Sequence, residues 1–138
     1  MTGAELCRAW MQERGIAGAV LSGPLNAYDP GERIISLRPH CYSGSTPRML
    51  TTAAHEAGHA DQHADLGWMI AAAQWLMPGR LWLEWDASRR AEKILGYFGR
   101  AADAGTLRAS WESYLGPAVI QAVLVGLCVA VYFAMRKH

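Results

Sequence analysis

Ala53-Ala54-His55-Glu56-Ala57-Gly58-His59-Ala60 is the stretch on which the reading of this chain turns. It carries the pattern HExxH. In a helix, residues four apart share a face, with Cβ atoms about 5–6 Å from each other. Imidazoles at His55 and His59 can then converge on one Zn2+ at roughly 2.0–2.1 Å. Glu56 projects at an adjacent angle, so it reaches a water on the metal rather than the metal. It is the candidate general base, taking that water's proton and returning it to a leaving amine. The five letters alone arise by chance. Here the neighbours Ala53, Ala54, Ala57, Gly58 and Ala60 are all small, which permits close helix packing around a metal and substrate.

The flanks support a helix. Pro47 after Thr46 is a start signal, and Gly67 lies just past an end near Ala64 or Asp65. A tetrahedral catalytic zinc site uses three protein ligands and a water. His63 is excluded as the third, because it lies about 12 Å along the axis from His55. It reads as a surface or outer residue, and Asp61 and Asp65 read as a solvated helix face. The best third ligand is Glu84, on a second helix over about Leu81 to Phe98, with Asp86 as its local rival. Between the two helices, Trp68 to Met77 is apolar but too short to span a bilayer, and Pro78-Gly79 ends it.

Upstream, Thr2 to Gly15 reads as an amphipathic helix with a Thr2/Glu5 capping box. Ile16–Leu21 and Arg33–Leu37 read as two strands of a small sheet, arranged as a hairpin with a long loop. Tyr28-Asp29-Pro30-Gly31-Glu32 supplies the turn chemistry. Ser43 to Pro47 is a polar loop. Downstream, residues 100–105 form a linker. Pro117 to Met135 then runs for nineteen residues without a formal charge, followed by Arg136-Lys137-His138. That matches a transmembrane helix, with a long core helix as the alternative. The chain thus divides into a domain over 1–105 and an anchor over 106–138.

At 138 residues the chain fits one domain. Its 13 Lys and Arg against 12 Asp and Glu leave no basic footprint for nucleic acid. Cys7, Cys41 and Cys128 are odd in number and irregular in spacing, against a disulfide framework or thiolate zinc site. Cys128 reads as a small buried hydrophobe in an apolar run. Met1 to Arg14 carries Glu5, Arg8, Glu13 and Arg14 and has no apolar h-region, so no signal peptide is expected there.

Four segments in order carry a resemblance. They are Tyr28-Asp29-Pro30, the run Ile35-Ser36-Leu37-Arg38-Pro39 with Tyr42, the run from Ala53 to Gln62, and Glu84-Trp85-Asp86-Ala87-Ser88-Arg89-Arg90-Ala91. Together they resemble the bacterial neutral zinc metallopeptidases of the YugP type, which are membrane-bound and gluzincin-like. The resemblance implies His55, His59 and Glu84 as ligands and Glu56 as the catalytic base. The Glu84 segment also resembles the third-ligand helix of the CAAX prenyl proteases, which favours Glu84 over Asp86. It further implies that residues 33–39 offer a strand edge to the substrate backbone, and that Tyr114 is a candidate oxyanion stabiliser. Members of the family carry a long membrane-spanning insert between the two metal motifs. Here 24 residues separate His59 from Glu84, and Trp68 to Met77 stands in the insert's place.

The expectation is therefore an α+β, mostly helical, zincin-like domain with a small sheet and a C-terminal transmembrane helix. Its activity would be zinc-dependent peptide hydrolysis. It would sit in the bacterial inner membrane with the active site on the cytosolic side. The alternative is a non-catalytic zinc-binding membrane protein that uses the scaffold to bind a partner.

Overall fold

The computed structural model describes residues 1–136; Lys137 and His138, read above as part of a basic flank, lie outside them. The described chain is mostly helical, with one three-stranded sheet. Helix α1 spans Gly3–Glu13. Its capping box forms as expected: the Thr2 hydroxyl accepts from the Glu5 amide at 3.3 Å, and the Glu5 carboxylate accepts from the Thr2 amide at 2.7 Å. The buried face of α1 is Leu6, Cys7 and Met11.

The sheet corrects the expected hairpin. Its strands are β1 (Ala19–Ser22), β2 (Ala27–Asp29) and β3 (Ile34–Leu37), in the order β1-β3-β2. β1 and β3 are neighbours but parallel, while β2 pairs antiparallel to β3. Parallel neighbours need a crossover of about a dozen residues, and β2 is contained within it. The turn chemistry belongs to the tight β2–β3 connection. There the Asp29 carboxylate accepts from the amides of Gly31 at 2.8 Å and Glu32 at 3.1 Å. β3 is the central strand, with Ile35 and Leu37 fully buried. Residues 33–39 are therefore not a free edge, since both sides of β3 are taken; the edges are β1 and β2.

Pro39 starts a five-residue helix, α2 (Pro39–Ser43), where no element was expected. α3 covers Pro47–Leu66, with Thr46 as its cap and Gly67 at φ +53° as its stop. The alanines at 53, 54, 57 and 60 have no exposed surface. The apolar stretch beyond folds as α4 (Trp68–Ala73), and α5 then runs Met77–Tyr97. Pro78-Gly79 does not break a helix; it sits in the first turn of α5, where proline's missing N–H costs nothing. Leu6, Ile35, Leu50, Ile94 and Leu95 are central members of the core joining α1, β3, α3 and α5.

α6 is continuous from Ala104 to Met135, with Pro117 inside it. The Asp103 carboxylate caps it, accepting from Thr106 N at 3.1 Å. Leu107 joins the core, and its carbonyl oxygen lies 3.3 Å from the Ser88 hydroxyl oxygen of α5. Beyond Gln121 the helix leaves the body. Only 6% of its most apolar 18-residue window is buried, so it is not a core helix; it is long and apolar enough to cross a membrane. Cys128 is accordingly exposed, not buried, because among the described residues no other element covers this part of α6.

Candidate metal centre

α3 and α5 cross at Gly58, where an added Cβ would lie 2.6 Å from the Ala87 carbonyl oxygen. This backbone approach brings Glu84, one turn earlier on α5, to the two histidines of α3. Glu84 Oε2 lies 3.1 Å from His55 Nε2 and 3.6 Å from His59 Nε2. Among the described residues, the donor atoms of His55, His59 and Glu84 form a group that could hold a metal, all within 4.8 Å of one another.

The outer nitrogens of both rings are engaged. Gln62 Nε2 donates to the Leu83 carbonyl at 2.8 Å and to Asp86 Oδ2 at 2.9 Å. Its Oε1 therefore faces His59 Nδ1, at 2.9 Å, and accepts a hydrogen bond from it. The Ser88 hydroxyl donates to the Glu84 carbonyl at 2.9 Å, leaving its oxygen to accept from His55 Nδ1 at 3.3 Å. With both Nδ1 atoms protonated, the Nε2 lone pairs and a Glu84 oxygen point at one another. Three such lone pairs repel unless a cation stands between them, so the donor chemistry fits a divalent metal.

Where no cation stands between them, a proton on Nε2 takes its part, and the pKa values follow that protonated form. Burial alone would raise the Glu84 carboxyl; hydrogen bonds to His55 and His59 outweigh it and hold the group at about 2. Burial would lower His59, but the bond to Glu84 lifts it above the ordinary histidine value. Glu56 shifts the other way: burial raises its carboxyl, against the opposing pull of the His59 and His55 rings.

A cleft of about 400 Å3 opens over the site, and Glu56 and Tyr114 both line it. Burial raises the Tyr114 phenol, and the nearby Glu84 carboxylate adds to the rise. Asn26, Ala27 and Tyr28 line it too, so the sheet edge beside the site is β2. His63, read as an outer residue, also faces the cleft, with its Nδ1 2.8 Å from the Tyr28 hydroxyl.

Asp86, the rival ligand, points away from the histidines. It accepts from Arg90 Nε at 2.7 Å as well as from Gln62. Arg90 continues to Asp61 and Asp65, each at 2.6 Å, and Arg14 closes the group from α1 with Asp61 at 2.6 Å and Asp65 at 3.0 Å. Asp61 is therefore buried in an ion network, not part of a solvated face. Arg89 stands apart, stacked over the Trp85 ring. Two supporting residues, Gln62 and Ser88, were not singled out from sequence. The available signal was their place at the end of the Ala53–Gln62 run and inside the Glu84–Ala91 run.

A family model described as "putative neutral zinc metallopeptidase" matches residues 1–82. No curated protein matches the chain, and no solved structure does. The match takes in α1, the sheet and the whole HExxH helix, and stops two residues short of Glu84. The metal that the family implies is zinc, which suits a His₂Glu donor set. The chain belongs to the neutral zinc metallopeptidase family.

Proposed function

We propose that the protein is a membrane-anchored zinc peptidase of zincin-like architecture. His55, His59 and Glu84 would hold the metal, and Glu56 would be the general base. The convergence of these three donors from two helices, within 4.8 Å of one another, is the observation that carries the reading. Bound zinc supplies a Lewis acid at this point of the cleft. Glu56, with its carboxyl raised by burial, is a stronger base than an exposed carboxylate and is suited to taking a proton from the attacking water and returning it to the departing amine. Edge strand β2 lies where an extended substrate could add its backbone to the sheet, which fixes the scissile bond against the site. Tyr114 lines the same cleft, and its raised pKa keeps the phenol protonated as a donor to a developing oxyanion. Residues 1–105 carry the metal ligands and the base, and 106–138 anchor them through α6, whose first turns also brace α5 and supply Tyr114.

Metal analysis of the purified chain, followed by casein cleavage, tests this. One zinc per chain is expected in both the parent and Glu56→Gln, with cleavage about 10²- to 10⁴-fold slower in the variant. A chain without zinc removes the reading altogether. Equal cleavage by Glu56→Gln removes the mechanism. Zinc bound by a parent that cleaves nothing favours the non-catalytic alternative.

A further inference from the structure

α4 and the opening turns of α5 present an apolar crest that peptide hydrolysis does not explain. Trp68 is 79% exposed and Trp75 85%, with Met69 and Leu76 beside them. Trp82 and Trp85 extend the exposed row along α5. The same segment has a second side, on which Ile70, Gln74, Arg80 and Leu83 line the cleft. The crest is thus the outer surface of one wall of the candidate active site.

Its position along α6 suggests what covers it. The Met77 amide donates to Gln121 Oε1 at 2.5 Å, which fixes the start of α5 beside the apolar part of α6. A hydrocarbon core of about 30 Å takes about 20 helical residues. Counted back from Met135, the helix would enter it close to Leu115. Gln121 then lies about 9 Å inside that entry, at 1.5 Å per residue. Trp75 and Leu76, adjacent to Met77, share this depth. Interfacial segments bury their apolar face about 5–10 Å into the headgroup and acyl boundary, and tryptophan favours that layer. The Arg89 guanidinium over Trp85, 5.3 Å from the ring, suits the polar side of it.

We propose that this crest is a second membrane element, lying in the lipid interface of the leaflet that α6 enters, so that the cleft wall rests on the bilayer surface. This rests on the reading of α6 as a membrane span. The test uses the full-length chain reconstituted in phosphatidylcholine vesicles, with or without acyl chains brominated near the headgroup. Brominated lipid is expected to quench tryptophan emission, and the quenched component should shrink in W68F/W75F, where phenylalanine keeps the apolar surface but does not emit. Emission unchanged by bromination overturns the proposal, as does quenching untouched by W68F/W75F; the crest would then be covered by protein, such as a second copy, or left in water. Resistance to alkaline carbonate extraction, measured on the same vesicles, separates the two readings. An extracted chain overturns the α6 span and the crest together; a resistant, unquenched chain overturns the crest alone.

Discussion

Gln62 holds the His59 ring by one oxygen while its nitrogen is fixed twice on α5, to the Leu83 carbonyl and Asp86. Loss of such an orienting partner weakens metal affinity about 10- to 100-fold, and this is the range expected for Gln62→Ala in competition with a zinc chelator. The metal-free site should also give stability a characteristic pH profile. Glu84, held at about 2, stabilises the fold fully above the unfolded carboxyl value of 4.5 and loses that contribution as pH falls toward 2. His59, raised above 6.5, contributes fully below 6.5 and loses it as pH rises through its folded value. Both contributions overlap between 4.5 and 6.5, so denaturant midpoints in the presence of a chelator should peak there; a monotonic rise through pH 8 would contradict the pairing. His55, Glu56 and His59 were legible in the sequence because four-residue spacing on one helix is a local property. Gln62 and Asp61 were not, because what they touch is decided by how α5 and α1 lie across α3. Asp61 has the composition of a solvated face and is solvated by none of it, since Arg90 and Arg14 cover it.

The α3–α5 crossing is the element on which the site depends, and Gly58 sets its closeness. Gly58→Ala would place a methyl against the Ala87 carbonyl, an overpacking that costs typically about 1–3 kcal/mol. Because α5 must then shift, zinc content should fall together with the urea midpoint; a destabilised chain with unchanged zinc affinity would show that Glu84 is not held by this crossing. The helices themselves were readable from caps and stops: Thr2 with Glu5, Pro47 after Thr46, and Gly67 all act where their chemistry places them. The sheet was less so. β2 has three residues, too few to display an alternating pattern, and its Tyr28-Asp29 is followed at once by the proline and glycine of a turn. Reading all five as turn hid the strand that faces the cleft and made parallel neighbours look like a hairpin. Pro78 misled for a related reason: the same residue that ends a helix from within can begin one.

At the scale of the molecule, α6 runs unbroken from first turns packed on α5 to an exposed apolar end. Truncation after Gly116 is expected to abolish carbonate-resistant membrane association, as read by partition of the chain between pellet and supernatant; full retention would place the attachment elsewhere. The apolar length of this segment was plain in the sequence, whereas the packing of its first turns under Ser88 was not, since Leu107 is one apolar residue among many until α5 supplies its partner. The split of the donor set between α3 and α5 reaches further than the chemistry. A metal held by His55, His59 and Glu84 closes the intervening chain, α4 included, into a loop tied at its base. Ligand that binds only the folded form adds stability by mass action, about 2.7 kcal/mol at a hundredfold excess over Kd. How firmly the cleft wall stands would then follow zinc supply, and a zinc-starved compartment would hold not merely an idle enzyme but a looser and more perishable one.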